Sequence, residues 1–238
     1  MKSNLKIATI LPYKENYTFS KAQAAAIWVK DFFHYSIHKN NNYIYGNTDT
    51  NDFLTKNYIN IKINSLKSKF TSSTIDYCKN FVNRSKNINY DIIEIHNRPL
   101  VYTQIKNKID SKFILYFHND PLSMSGSKTI KERIILINSI DKIIFVSKWV
   151  QTRFFQGIDN KLINKTEIVY PSIHKLKKRS KKKKIIIFVG KLNHSKGYDI
   201  YRDAIIKILD EFKEWKAYSI GDERRDRPYI NHERHYEL

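Results

Sequence analysis

Side chains that form hydrogen bonds follow two apolar runs of the sequence, at positions where a strand would end. They are His96, Asn97 and Arg98 after the run 91–95, and His118, Asn119 and Asp120 after the run 113–117. A neutral imidazole both donates and accepts a hydrogen bond, so each histidine can bind a hydroxyl group of a ligand such as a sugar. The alternative for each histidine is a turn residue that caps the next helix. Two histidines at the ends of separate strands favour a binding site.

A third apolar run, 186–189, is followed by Gly190 and Lys191, and Lys196 comes five residues later. Two ammonium groups beside a strand-to-helix turn, together with the backbone amides of the helix N-terminus, form a site for a diphosphate. The segment has neither the Gly-Lys-Ser/Thr ending of a P-loop nor the Gly-x-Gly-x-x-Gly spacing. The pattern therefore predicts a diphosphate site of another kind, built from Gly190, Lys191 and Lys196.

The apolar runs belong to a pattern in which strand-like runs alternate with amphipathic stretches. The strand-like runs lie at 6–11, 43–45, 58–63, 91–95, 113–117, 142–146 and 167–170. This alternation predicts a parallel sheet with helices on its faces. In open parallel sheets, ligands bind outside the carboxyl ends of the strands, which is where the polar residues above lie.

Three amphipathic stretches indicate helices. The first is predicted to open with a capping box over 20–23 and to bury one apolar stripe. That stripe comprises Ala22, Ala25, Ala26, Val29 and Phe33. The same spacing joins Ile75, Cys78 and Val82, and joins Ile130, Ile134 and Ile137. Because Cys78 lies on such a stripe, we interpret it as a small core residue rather than a nucleophile.

The pattern stops at Tyr170 and Pro171, and a lysine-rich stretch follows. Residues 173–184 are predicted to form a basic linker. A second unit then begins, with a strand at 185–189, a helix at 196–212 and a strand at 216–220. It ends in a polar tail, 223–238, that has no helical or strand period. A lone strand–helix–strand unit cannot cover both faces of its sheet, so this second unit looks unfinished.

Composition limits the class of protein. The 238 residues carry 43 Lys and Arg against 23 Asp and Glu, a net charge of +20. Such a charge suggests polyanionic partners, and a coding bias toward Lys, Asn, Ile, Tyr and Phe explains it equally well. A hydrophobic share of 41% excludes wholesale disorder. A single cysteine fits a reducing compartment, and the early apolar run 7–11 is too short for a signal core or a membrane span.

The segment 188–199 reads Phe-Val-Gly-Lys-Leu-Asn-His-Ser-Lys-Gly-Tyr-Asp. It resembles the start of the donor-binding domain in family 4-type glycosyltransferases of the GT-B architecture, where a strand runs into Gly-Arg-Leu and then Lys-Gly. Residues 144–150 are similar to that family's strand before the interdomain helix, and residues 168–172 to the strand that leads into its linker. The motifs occur in the family's order and cover nearly the whole chain.

The resemblance implies a GT-B-like α/β fold with one complete Rossmann-like parallel-sheet domain and the first βαβ of a second. The complete domain, 1–172, would bind the acceptor. The partial domain, 185–238, would bind the nucleotide sugar. The family's glycosyltransferases move a sugar from a nucleotide-sugar donor to an acceptor hydroxyl with retention, usually without a metal or other cofactor. Their common uses suggest cell-envelope polysaccharide or lipopolysaccharide synthesis, with a carbohydrate or glycolipid acceptor.

The resemblance also implies roles for individual residues. Lys191 and Lys196 match the Arg and Lys that hold the donor diphosphate and stabilise the leaving group, with Lys191 standing where the family mostly has Arg. His118 fits a catalytic histidine beside the transferred sugar. The residues expected near the acceptor are His96, Asn97, Arg98 and Asn119.

One family element is missing from the sequence. Members carry a Glu-x7-Glu pair further along the second domain, whose carboxylates contact the donor sugar and the ribose. No pair of glutamates after Gly197 has that spacing. The chain is therefore expected to be a truncated form, and its turnover is expected to be impaired.

Two other functions were weighed against this one. The lysine-rich stretch could serve a basic nucleic-acid-binding protein, but no base-reading element accompanies it, and Trp28, Trp149 and Trp215 lie in helical or strand patterns rather than on an exposed stacking surface. No nucleic-acid partner is therefore expected. The same charges could hold the protein on an anionic membrane, which is compatible with a glycosyltransferase. We expect a cytoplasmic protein that contacts the inner face of the membrane.

Overall fold

The chain divides into two compact units, residues 1–173 and 174–238. They are seen in a computed structural model that describes residues 5–63, 72–172, 181–222 and 227–238. The division falls at the start of the lysine-rich stretch. Residues 173–180 of the predicted linker lie outside the described residues, and the side chains of 181–184 are exposed.

The larger unit is built on a sheet of seven strands. They are β1 (Ile7–Ile10), β2 (Asn42–Gly46), β3 (Tyr58–Asn60), β4 (Ile92–His96), β5 (Lys112–Phe117), β6 (Lys142–Phe145) and β7 (Thr166–Ile168). The order across the sheet is β3-β2-β1-β4-β5-β6-β7, and every pair is parallel. Each strand coincides with one of the seven predicted runs, which confirms the α/β prediction.

Five helices connect these strands. They are α1 (Ala24–Tyr35), α2 (Ser73–Ser85), α3 (Pro99–Ile105), α4 (Ile130–Ser139) and α5 (Lys148–Phe155). Short 3-10 turns lie at Lys39–Asn41, Pro121–Ser123 and Asn160–Lys165. The sheet separates two cores, as a sheet buried on both faces requires. On one face, Trp28 and Val29 of α1 pack against Tyr116 and Ile144 of the sheet.

The larger core lies on the opposite face. There, Tyr77, Cys78 and Phe81 of α2 join Phe117 and side chains of α3, α4 and α5. Cys78 is 1% exposed, and burial raises the pKa of its thiol to about 12. The interpretation of Cys78 as a core residue is confirmed.

Two details of the predicted helices are wrong. Helix α1 has no capping box at 20–23, because the backbone amide of Ser20 instead donates to the carboxylate of Asp52. The N-terminal amide of Ala26 donates to the buried carboxylate of Glu15, at 3.0 Å. A capping box does occur in α4, between Thr129 and Glu132.

The stripe predicted for α4 is also shifted. Ile130 and Ile134 are exposed, whereas Ile137 is buried as predicted, and the helix also buries Arg133 and Leu136. Arg133 is buried because its guanidinium donates to backbone carbonyls of the loop before α4 and of Gln156. A hydrophobicity pattern cannot identify an arginine that is buried for its hydrogen bonds.

The second unit contains β8 (Ile185–Val189), α6 (Tyr198–Glu211), β9 (Lys216–Ile220) and β10 (His235–Glu237). The predicted strand–helix–strand unit is present. The prediction of a structureless tail is wrong, because β10 pairs in parallel with β9 and extends the sheet to β10-β9-β8. Partly buried hydrogen bonds hold β10 in place, since the hydroxyl of Tyr198 donates to Glu237 and Ser219 contacts His235 at 2.8 Å.

Trp149 also differs from its prediction. It lies in α5 as the pattern indicates, but 59% of it is exposed and its ring lies under the guanidinium of Arg153, 5.8 Å away. Within the described ranges, no helix has both the length and the apolarity needed to cross a bilayer.

Candidate functional site

The two predicted histidines meet at the carboxyl ends of β4 and β5. These strands are parallel neighbours, and His96 is in register with Tyr116. His118, two residues after Tyr116, therefore lies just beyond the end of β5. Its Nε2 is 2.8 Å from Nδ1 of His96. Strand order reverses between β1 and β4, and ligands of open parallel sheets bind at such a switch point.

Aromatic rings enclose the histidine pair. The ring of Tyr116 lies nearly flat against His96, with centroids 4.5 Å apart and an angle of 6°. Trp28 of α1 presents its ring at steep angles to His96 and His118, with centroids 5.4 and 5.1 Å away. The imidazoles are therefore fixed in orientation and largely removed from water.

Burial sets the protonation of the pair. Burial lowers the pKa of His118 to about 4. Burial also holds the pKa of His96 well below its usual value, and the neighbouring His118 lowers it further. Both rings are consequently neutral at pH 7, so one ring donates the hydrogen bond between them and the other accepts it.

The turn after β4 has an unusual backbone. Asn97 and Arg98 both adopt the left-handed region, with φ of 56° and 55°. Residues other than glycine rarely do so, and such conformations concentrate at functional sites. The conformation lets the side-chain oxygen of Asn97 accept a hydrogen bond from the backbone amide of His118 at 2.9 Å. The backbone amide of Asn97 donates to the carbonyl of Tyr116 at 2.7 Å.

The six predicted residues of this region differ in accessibility. His96 is 1% exposed and Asn97 is 7% exposed, so both lie beneath the surface of the site. His118 is partly exposed, and Arg98 and Asn119 are exposed. The carboxylate of Asp120 forms an ion pair with Arg153 at 2.9 Å and accepts the amide of Leu122, so it anchors its loop to α5.

Two glycines let the strands of the second unit approach closely. Gly190 follows β8, and its amide donates to the carbonyl of Ile220 at the end of β9. A Cβ atom on Gly221 would overlap the carbonyl oxygen of Gly190. Both glycines have positive φ, which an L-amino acid side chain disfavours.

One amide at the start of α6 is paired within the chain, because the amide of Tyr198 donates to the carbonyl of Asn193. His194 contacts the carboxylate of Asp199 at 3.0 Å, and this contact lowers the pKa of Asp199. The predicted contribution of this helix N-terminus to a diphosphate site stays a prediction. Lys191 and Lys196 remain as exposed cations beside the turn.

Sequence reasoning missed the side chains that support the histidines. Glu94 and Tyr116 each lie two residues before a histidine, so the alternation of a strand puts them on the same face as that histidine. That spacing was the available signal. Across the described ranges, no group of three or more His, Cys, Asp or Glu side chains is arranged to hold a metal ion.

We expect Asn97→Ala to destabilise the larger unit by about 2–4 kcal/mol. The variant leaves the buried amide of His118 unpaired and puts alanine in a left-handed conformation. Asn97→Gly removes only the hydrogen bond, so it should cost about 1 kcal/mol less than Asn97→Ala. Urea unfolding measures these differences. Asn119→Ala, in the exposed loop after β5, is the control, and an Asn97→Ala variant as stable as that control would contradict the role of Asn97.

Comparisons with known proteins identify the fold. No family model and no curated protein matches the sequence. Solved structures do match. The lipopolysaccharide outer core galactosyltransferase WaaB, in its apo form, is 16% identical with a TM-score of 0.59, over 92% of this chain and 61% of that chain. HepE of Anabaena in complex with UDP-glucose is 15% identical with a TM-score of 0.63, over 91% and 60%.

A glycosyltransferase from Rickettsia africae is 16% identical with a TM-score of 0.63, over 92% of this chain and 61% of that chain. A UDP-N-acetylglucosamine 2-epimerase also matches, at 10% identity and a TM-score of 0.55. The chain thus spans about three fifths of the length of these proteins. At such low identity the likeness concerns the fold, and the chain has the Rossmann-like α/β fold of GT-B glycosyltransferases.

Proposed function

We propose that the chain acts as a glycosyltransferase of the retaining, family 4 type, which moves a sugar from a nucleotide-sugar donor to an acceptor hydroxyl. The observation that carries this proposal is the neutral, partly exposed His118, fixed by His96 at the switch point of a GT-B-like sheet. A neutral imidazole can exchange hydrogen bonds with a sugar hydroxyl at pH 7, whereas an imidazolium could only donate.

The larger unit would bind the acceptor. His118 would contact the transferred sugar, and the exposed Arg98 and Asn119 would bind the acceptor or the sugar directly. His96 and Asn97 are too deeply buried for direct contact, so we assign them the positioning of His118. In this arrangement, the left-handed backbone of the turn after β4 serves to hold Asn97 against the backbone of His118.

The second unit would bind the donor through its diphosphate. Lys191 and Lys196 supply two positive charges beside the turn at Gly190, where β8 and β9 approach closely. The same charges would stabilise the diphosphate as it leaves, so the proposal requires neither a metal nor another cofactor. Lys191 carries a point charge where an arginine would present a bidentate guanidinium, so we expect a lower affinity for the diphosphate than an arginine would give.

Structural neighbours support the choice of donor and process. HepE is seen with UDP-glucose and with UDP and glucose, and WaaB is a lipopolysaccharide outer core galactosyltransferase. We therefore take a UDP-sugar as the donor and a carbohydrate or glycolipid as the acceptor, in cell-envelope polysaccharide or lipopolysaccharide synthesis. The epimerase with the same fold shows that the fold serves more than one activity, which makes direct tests necessary.

Donor binding is the first test, because the Glu-x7-Glu element is not in this sequence. Titration calorimetry with UDP-glucose should detect binding to the full chain. Lys191→Ala and Lys196→Ala should each raise the Kd about tenfold or more, since a charge-assisted hydrogen bond contributes about 1.5–3 kcal/mol. Lys207→Ala removes an exposed lysine from α6 of the same unit and is the matched control.

Two results would contradict the donor site. The first is the absence of binding by UDP, UDP-glucose and other nucleotide sugars. The second is an equal loss of affinity in Lys207→Ala and in the two test variants, which would attribute binding to net charge alone.

We also propose that the protein is cytoplasmic and contacts the inner face of the membrane. The exposed lysines 181–183 and the net charge of +20 support this contact. The chain should sediment with vesicles that contain phosphatidylglycerol but not with phosphatidylcholine alone, and added salt should release it. Changing lysines 181–183 to glutamine should weaken sedimentation more than changing Lys39, Lys128 and Lys131. Equal sedimentation with both kinds of vesicle would refute an electrostatic contact.

A further inference from the structure

A half-buried carboxyl group lies behind the histidine pair. Glu94 is in the middle of β4, on the same face of the sheet as His96. Its Oε2 lies 2.8 Å from the hydroxyl of Thr9, and its Oε1 accepts a hydrogen bond from Tyr116 at 3.2 Å. The hydroxyl of Thr9 also lies 3.0 Å from Oδ1 of Asn42.

Glu94 has no cationic partner among the described residues. It lines a cavity of about 90 Å³ beneath α1, together with His96 and Tyr116. Helix α1 and the residue after it contribute only uncharged side chains to that cavity, namely Trp28, Val29, Phe32, Phe33 and Ser36. His96 and Tyr116 are the other titratable groups there, and both are neutral at pH 7. A largely desolvated carboxylate without a counter-charge is disfavoured, which favours the neutral acid.

The hydrogen atoms of the cluster lead to the same conclusion. Thr9 has one hydroxyl hydrogen but lies beside two oxygens, Oδ1 of Asn42 and Oε2 of Glu94. With Oδ1 of Asn42 facing Thr9, the second hydrogen comes from Glu94, because an amide oxygen has none. With a proton on Glu94, Tyr116 donates to Glu94, Glu94 donates to Thr9, and Thr9 donates to Asn42. Burial raises the pKa of Glu94, in agreement with this count.

We propose that Glu94 is a neutral carboxylic acid at pH 7 that positions Tyr116 and, through it, the histidine pair. The ring of Tyr116 lies flat against His96, so fixing its hydroxyl fixes the surface on which His96 rests. The missing negative charge matters as well. An ionised Glu94 in the same cavity would favour a protonated His96, and the hydrogen bond to His118 would then join a charged ring to a neutral one.

Only the consequence for sugar binding rests on the proposed glycosyltransferase function. The protonation of Glu94 and its positioning of the rings can be measured without donor or acceptor. Failure of this inference is therefore distinguishable from failure of the proposed function.

Infrared difference spectroscopy of the full chain at pH 7 tests the protonation. The spectrum of wild type minus Glu94→Gln should contain the C=O band of a protonated carboxylic acid. Tyr116→Phe, which removes one hydrogen bond to Glu94, should shift that band. Glu15→Gln changes a second glutamate, which is buried beside α1, and separates its contribution. The inference is overturned if Glu94→Gln removes a carboxylate band instead, a result that would require the amide of Asn42 to be reversed.

Imidazole nitrogen chemical shifts test the positioning. Glutamine reproduces the neutral acid, donating to Thr9 and accepting from Tyr116, so Glu94→Gln should leave the shifts of His96 and His118 as in wild type. Glu94→Leu, which cannot hydrogen-bond to Tyr116, should change them. Unchanged chemical shifts in Glu94→Leu would overturn the positioning role. A lower imidazole pKa in Glu94→Gln than in wild type would show that the substitution had removed a negative charge, and it would overturn the neutral acid.

Discussion

The hydrogen bond between Nδ1 of His96 and Nε2 of His118 is the contact on which the rest of the site depends. It joins the ends of two neighbouring strands and requires that at least one ring be neutral, because two imidazolium rings would present only donors. Burial satisfies this requirement by lowering the pKa of both histidines. The result is one accessible, neutral imidazole supported by a second that is inaccessible.

Each neighbouring feature serves that contact. Parallel pairing of β4 with β5 brings the two strand ends together, and the left-handed Asn97 ties the backbone of His118 to the turn after β4. Helix α1 supplies Trp28, which excludes water from both rings. Beneath them, the cluster of Glu94 and Tyr116 fixes the plane of His96. The site is therefore built from residues that are distant in sequence and adjacent only in this sheet.

The sequence predicted the sheet well because buried parallel strands leave continuous apolar runs. It could not predict β10, whose His-Tyr-Glu sequence is polar and whose place depends on contacts with Tyr198 and Ser219. It also could not show which of the two histidines is accessible to a ligand, because only the cross-strand register shows that His96 lies beneath His118. Likewise, the pattern around Lys191 gave no indication that His194 contacts the carboxylate of Asp199.

The most direct measurement of this account is the pH titration of the His118 imidazole in the full chain, followed by NMR. The predicted midpoint is about 4, against an ordinary value of 6.5. Since the unfolded chain binds the proton more readily, the stability contributed by the buried neutral ring should be complete above about pH 6.5 and decline as the pH falls toward 4. A midpoint near 6.5 would contradict the account, because it would mean that His118 is solvated and not held by His96.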